Sequence, residues 1–297
     1  MSIANHLEVH LPAGHGLSPH WQYSKLPLIG RMLSDYPVQD LWETDFARLP
    51  RALARQRRRA REFAEQYLVP AAAELDLAPH LPAGQCHPAA ERILCEAGKQ
   101  GWLSYLMPAP LGSMSWTSLP YAPIWQSCLI TEEFSRACGG LMLLLSAHHL
   151  GCMPLMVSGN LGVIRRYLLP VYRSCERGEP HLVAYAITEP AGGSDVEEGH
   201  GAEGYRPAVV ATPTEGGYLL NGRKCFISGG DLARTAIVFA SLQGEGMDSW
   251  TCFYVDCDAP GYTVARTELK MGMRASGAAE IELANVFVPA DRVIGGL

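Results

Sequence analysis

The run Tyr185-Ala186-Ile187-Thr188-Glu189-Pro190-Ala191-Gly192-Gly193-Ser194-Asp195 holds the densest chemistry in this sequence. It reads as a strand that passes straight into a small-residue turn rich in exposed amides. Backbone N–H and C=O groups at the strand end, with the Thr188 hydroxyl, suit the edge of a flat heterocycle. Gly192, Gly193 and Ser194 let the backbone approach a pyrophosphate closely. By residue type alone the same run also fits an ordinary turn. Neither GxGxxG after a strand nor GxxxxGK[ST] occurs, so neither common phosphate-cradling loop is present. Glu132, Glu133, Glu189 and Asp195 are the acids available for proton transfer, and Glu189 and Asp195 are expected to cap or pair within the turn. His148 and His149 are adjacent. On a helix their side chains diverge by about 100°, so they are predicted as core or interface histidines and no metal site is expected.

The elements that must position these residues change character along the chain. From Pro50 to Arg177 the periodicity is helical, and from Val183 it is strand-like. The predicted division is an irregular arm over 1–48, an α-helical domain over 49–180 and a β-domain over 181–297. Arg51 to Val69 forms one helix ended by Pro70, and Ala89 to Ala97 a second stopped at Gly98. Ile124 to Ala137 forms a third. After Gly139 and Gly140 an apolar helix begins at Leu141, and Val163 to Tyr172 follows, interrupted by Pro170. Arg55, Arg57, Arg58, Arg59 and Arg61 read as the solvated face of the first helix. Short runs rich in Val, Ile, Thr, Tyr and Phe make up the rest. Asn221-Gly222 is the predicted two-residue hairpin turn between Tyr218–Leu220 and Arg223–Phe226. The fold class is α+β: an all-α domain, then an antiparallel barrel or sandwich of roughly seven or eight strands.

Composition narrows the function classes. At 297 residues and 48% hydrophobic content the chain can bury two ordinary cores. A net charge of −6 gives no basis for a nucleic-acid groove, which needs a surplus of Lys and Arg. Nine cysteines with no CxxC pair suit a reducing compartment, and a cytoplasmic location is expected. Leu141 to Val157 is apolar but broken by His148, His149, Gly151 and Pro154, so a buried helix is expected and no membrane partner.

Ala184-Tyr185-Ala186-Ile187-Thr188-Glu189-Pro190 through Ser194-Asp195 resembles the signature of acyl-CoA dehydrogenases. Leu220-Asn221-Gly222-Arg223-Lys224-Cys225-Phe226-Ile227-Ser228-Gly229-Gly230 resembles that family's second flavin-contacting segment. The likeness continues in Leu150-Gly151-Cys152-Met153-Pro154, Arg166-Tyr167-Leu168-Leu169-Pro170, Leu269-Lys270-Met271-Gly272-Met273-Arg274 and Val286-Phe287-Val288-Pro289, and so spans about residues 50 to 295.

What the resemblance implies is an FAD-dependent α,β-dehydrogenation of an acyl-CoA thioester, with FAD lying across a cleft between the helical and β-domains. Its contacts would fall on Tyr185, Ala186, Ile187, Thr188, Gly193, Ser194, Phe226, Ile227 and Ser228, with Ser194 also at the acyl-CoA. The family usually has Trp and Thr where Phe226 and Ser228 stand; an aromatic face and a hydroxyl are kept. The family's proton-abstracting Glu belongs to a C-terminal helical domain, whereas this sequence ends at Ile294-Gly295-Gly296-Leu297. No catalytic residue is therefore assigned. The base is expected from a partner chain bearing that domain or from a fuller form, with assembly as a homo-oligomer and an electron-transfer flavoprotein as acceptor. Two alternatives stay open: a flavin oxidase or monooxygenase relative, and a non-catalytic binding or assembly subunit on the same scaffold.

Overall fold

The computed structural model describes residues 49–118, 121, 123–193 and 204–294. The chain divides into Met1–Arg55 and Gln56–Leu297. Of the first unit only the beginning of a helix is described, and the expected arm over 1–48 lies outside the described residues. The second unit carries the architecture that follows.

Helix α1 (Arg51–Phe63) does not stop before Pro70. It passes through a π-turn, Ala64–Leu68, into α2 (Val69–Leu77). The Val69 amide donates to the Ala64 carbonyl, five residues back. This wider turn shifts the register where a proline ring would otherwise meet a carbonyl, so the helix survives Pro70. The device recurs. After α3 (Pro88–Lys99), α4 (Pro123–Ala137), α5 (Gly139–Val157) and the short α6 (Leu161–Val163), a π-turn over Ile164–Leu168 admits Pro170 into α7 (Leu169–Glu176). Gly98 likewise lies inside α3 rather than ending it. A Cβ there would sit 2.2 Å from the Cys175 carbonyl oxygen, so the glycine allows α7 to lie directly on α3. Helix α5 begins at Gly139, and the backbone at Met273 and the Ala275 amide pass within 3.1 Å of where a Gly140 Cβ would be.

The helical core packs Phe63, Trp102 and Phe134 with ring centroids 5.5–5.8 Å apart. The arginine run is not all solvated. Arg57 is 1% exposed, and its Nε donates to Glu133 Oε1 at 2.8 Å. Glu133 is fully buried and also pairs with Arg61. Burial of Glu133 forces this inward turn, because a buried carboxylate requires a cation.

Among the described residues eight strands follow: β1 (Val183–Ala186), β2 (Val210–Thr214), β3 (Gly217–Ser228), β4 (Thr235–Leu242), β5 (Trp250–Asp256), β6 (Tyr262–Thr267), β7 (Ala278–Pro289) and β8 (Val293–Ile294). They form one sheet in the order β6-β7-β3-β2-β4-β5-β8, with β1 beside β4. The expected antiparallel barrel or sandwich needs correction on two points. The sheet is not closed, and it is mixed: β1 and β2 both run parallel to β4. The reason lies in β4, whose one edge is fully taken by antiparallel β5. Its other edge is shared, with β1 against Thr235–Val238 and β2 against Ser241–Leu242.

Asn221-Gly222 is not a hairpin turn. Strand β3 runs straight through it, and the β2–β3 hairpin closes instead at Glu215-Gly216, where Gly216 has φ 78°. Asn221-Gly222 forms a bulge against β7: Gly222 has φ 136°, and the Asn221 amide group exchanges hydrogen bonds with Asn285. The dipeptide's tolerance of positive φ is used to kink a strand rather than to reverse it.

Helix α5 meets the sheet at β1. A Cβ on Gly151 would lie 2.2 Å from the Val183 carbonyl oxygen, and His148 Nδ1 accepts the Val183 amide at 3.2 Å. His148 Nε2 donates to Leu103 O at 3.0 Å and His149 Nε2 to Trp102 O at 2.8 Å. Both rings are buried, and burial pushes their pKa values down to about 3 and about 4. The core reading of this pair holds. By length and composition α5 could span a membrane, but 56% of its apolar window is buried within the fold.

Candidate functional site

Strand β1 ends at Ala186, and the next three residues are strapped to β3. The buried Lys224 ammonium donates to Ile187 O at 2.9 Å and to Glu189 Oε1 at 2.8 Å. The Cys225 amide donates to Thr188 O at 3.0 Å. Glu189 then closes a tight turn on Gly192: its amide donates to Gly192 O at 2.8 Å, and the Gly192 amide returns to Glu189 O at 3.2 Å. Its carboxylate is saturated. Besides Lys224 it accepts the amides of Ala208 (2.6 Å) and Val209 (3.1 Å) and the Tyr205 hydroxyl (2.9 Å). Burial drives the Lys224 pKa down to about 8, with Glu189 acting in the opposite direction.

Close after this clamp on β3 comes a strained residue. Between Lys224 and Ile227 the β3–β7 pairing shifts register, and Phe226 takes φ 57°. Its ring is 63% exposed. A left-handed aromatic residue costs on the order of 1 kcal/mol, and an exposed Phe returns no burial for it. Such strain is kept where a side chain must face a particular way. Thr188 and Ser228, both half-buried, present hydroxyls from the strapped segment and from the end of β3.

Of the residues singled out in the sequence, Thr188 is bonded through its carbonyl to the amide of Cys225, the residue that precedes Phe226. Ala186 and Ile227 point into the sheet core, and Ile187 is 8% exposed. Gly193 is half-buried beside the turn, while Ser194 and Asp195 lie outside the described residues. Tyr185 looks elsewhere. Its ring packs edge-on against Phe239 at 5.1 Å and lines a groove of about 340 Å³ with Leu150, Met153 and Val157 of α5. The sequence reading passed over Lys224 and Tyr205. Neither gave a clear signal: Lys224 follows the exposed Arg223 and reads as a second solvated cation, and Tyr205 reaches Glu189 from an irregular segment.

Three of the four acids considered as proton acceptors are engaged, and the fourth, Asp195, lies outside the described residues. Glu133 lies under Arg57 and Arg61, Glu132 pairs with Arg57 at 3.5 Å, and Glu189 is saturated as described. Among the described residues no group of three metal-ligating side chains assembles.

A helical layer is joined to an open mixed sheet, and on β3 a strained, exposed aromatic stands next to the residues that strap down the end of β1. Profiles of the acyl-CoA dehydrogenase N-terminal and middle domains match residues 53–174 and 184–286. A cyclohex-1-ene-1-carbonyl-CoA dehydrogenase of Geobacter metallireducens is 34% identical over 236 residues, which are 79% of this chain and 55% of that protein. Butyryl-CoA dehydrogenase from Megasphaera elsdenii superposes with a TM-score of 0.67 at 25% identity, over 84% of this chain and 59% of the other. An acyl-CoA dehydrogenase from Bacillus anthracis, solved with FAD, gives 0.67 at 28% identity over 84% and 39%. The chain belongs to the acyl-CoA dehydrogenase family, whose N-terminal and middle domains it carries. It spans about half the length of the curated relatives it matches, 55% in the case above.

Proposed function

We propose that this chain supplies the flavin-holding part of an FAD-dependent acyl-CoA dehydrogenase, which desaturates an acyl-CoA thioester between its α- and β-carbons. The observation that carries this reading is Phe226, held exposed at positive φ next to Cys225, whose amide is bonded to the Thr188 carbonyl. The residues suit FAD: an aromatic face for stacking, two hydroxyls for ring-edge heteroatoms, and a Gly192-Gly193 turn for the pyrophosphate. Gly192 is already used, because a Cβ there would stand 2.7 Å from the Tyr205 ring. The closest backbone approach to phosphate therefore falls on Gly193 and the following Ser194, which we also assign to the acyl-CoA.

When bound, FAD supplies the hydride acceptor for the β-carbon. The chain's own work is placement. Phe226 would cover one face of the ring and Thr188 and Ser228 would hydrogen-bond its edge, while the Lys224–Glu189 clamp holds the segment that carries Thr188. None of the described candidate acids is free to take the α-proton, so we assign that base to a helical domain outside these two, on a partner chain or in a fuller form. The exposed apolar residues Leu150, Met153 and Val157 of α5, continued by half-buried Leu143 and Ser146, support this, because their alternating spacing of three and four is what a packed helix presents to another. We propose an electron-transfer flavoprotein as acceptor, assembly as an oligomer, and a cytoplasmic location consistent with nine unpaired thiols.

The test is co-purification with untagged candidate partners, followed by the visible flavin spectrum and its bleaching by a panel of acyl-CoA thioesters. Flavin bleached by an acyl-CoA only in the assembled complex, with slow reoxidation in air, is the expected result. Rapid reoxidation would favour an oxidase or monooxygenase. A flavin-free protein in every assembly would sink the reading.

A further inference from the structure

The Lys224–Glu189 pair is costly to bury. Both side chains are almost fully buried, 0% and 2% exposed. Buried ion pairs are commonly no more stabilising than apolar residues of the same volume. This one is also elaborate. The Glu189 carboxylate collects donors from β3, from the segment entering β2 and from Tyr205, while Lys224 reaches past it to a backbone carbonyl. The consequence is local. Ile187 O is held by Lys224, Thr188 O by the Cys225 amide, and the Glu189 amide by Gly192. Three successive residues are fixed, and the middle one bears the hydroxyl that faces the ring. On β3 the clamp immediately precedes the strained Phe226.

We infer that Lys224 and Glu189 are positioning residues of the cofactor site: through Ile187 O they set the Thr188 hydroxyl and the Phe226 ring in register with FAD, and they are kept for that geometry rather than for stability. The inference rests on the FAD reading above. Lys224 alone reaches Ile187 O, so a neutral pair of similar shape packs the space but releases that carbonyl.

The experiment compares the full chain, in whichever assembly loads FAD, with Lys224→Met and with Lys224→Met/Glu189→Gln. The single variant leaves a buried carboxylate without its cation, and a lowered melting temperature is expected. The double variant removes both charges but leaves a buried amide at Val209 or Ala208 facing the Gln NH2, and a melting temperature between those of the wild type and the single variant is expected. FAD affinity separates the two roles. Losing a hydrogen bond from a charged donor is expected to weaken FAD binding by about tenfold or more in the double variant, with loss of fine structure in the visible flavin band. A double variant that recovers both melting temperature and FAD affinity would show the pair to be merely structural and overturn the inference. If the double variant also fails to fold, stability is what the pair provides, and the inference falls. A wild-type protein that takes up no FAD overturns the function reading itself, a result distinct from wild-type uptake with unchanged affinity in the variants.

Discussion

At the scale of single residues, strain and buried charge separate display from support. Phe226 is displayed. Replacing it with glycine relieves the left-handed backbone while adding freedom to the unfolded chain, and these effects nearly cancel. The expected result of Phe226→Gly is an almost unchanged thermal midpoint with FAD binding weakened by roughly 1–2 kcal/mol, the worth of a stacked aromatic. An unchanged dissociation constant in a fluorescence titration would remove Phe226 from the site. Glu133 is support. It is fully buried against Arg57, itself 1% exposed, and Glu133→Ala removes the carboxylate closest to that guanidinium. A loss of about 3–5 kcal/mol in a denaturant titration is expected.

At the scale of elements, two contacts decide how α5 lies on the sheet. Gly151→Ala would drive a Cβ into the Val183 carbonyl, so helix and strand must separate. A destabilisation of about 1–3 kcal/mol is expected, read as a lower denaturation midpoint. His148 gives a pH signature. Its Nδ1 accepts the Val183 amide, so folding selects the neutral ring, and with His149 its folded pKa lies at about 3 to 4, below the ordinary 6.5. Unfolded chains bind these protons first as pH falls. Stability is therefore full above about 6.5 and is lost toward pH 4 by about 1.4 kcal/mol per pH unit for each histidine. A melting series in which His148→Gln keeps the full acid slope would refute this. These packing facts also mark where the sequence misled. Pro70, Pro170 and Gly98 are stop signals by local rule, but π-turns absorbed the prolines, and the approach of α7 requires the glycine. The strands were legible from their Val, Ile and Tyr content. The parallel placement of β1 and β2 was not, because the sharing of one β4 edge is a long-range choice that leaves no mark in either strand.

At the scale of the molecule, the candidate site was legible because its two segments, around Thr188 and Phe226, each carry their motif in contiguous residues. What fixes them together was not, since Glu189, Tyr205 and Lys224 come from three separate segments. The exposed α5 stripe yields a whole-molecule test. Val157→Glu on a 72% exposed position is expected to leave the melting temperature of the isolated chain unchanged while abolishing co-purification with the helical partner. Retained association would place the partner elsewhere. The seam between α5 and β1 carries one more consequence. With the Val183 amide bonded to His148 and its carbonyl against Gly151, there is no slack at which the helical layer and the sheet could swing apart. The expected outcome is that the Val183 amide is among the last protons of the chain to exchange with heavy water, as befits a fixed dock rather than a closing jaw.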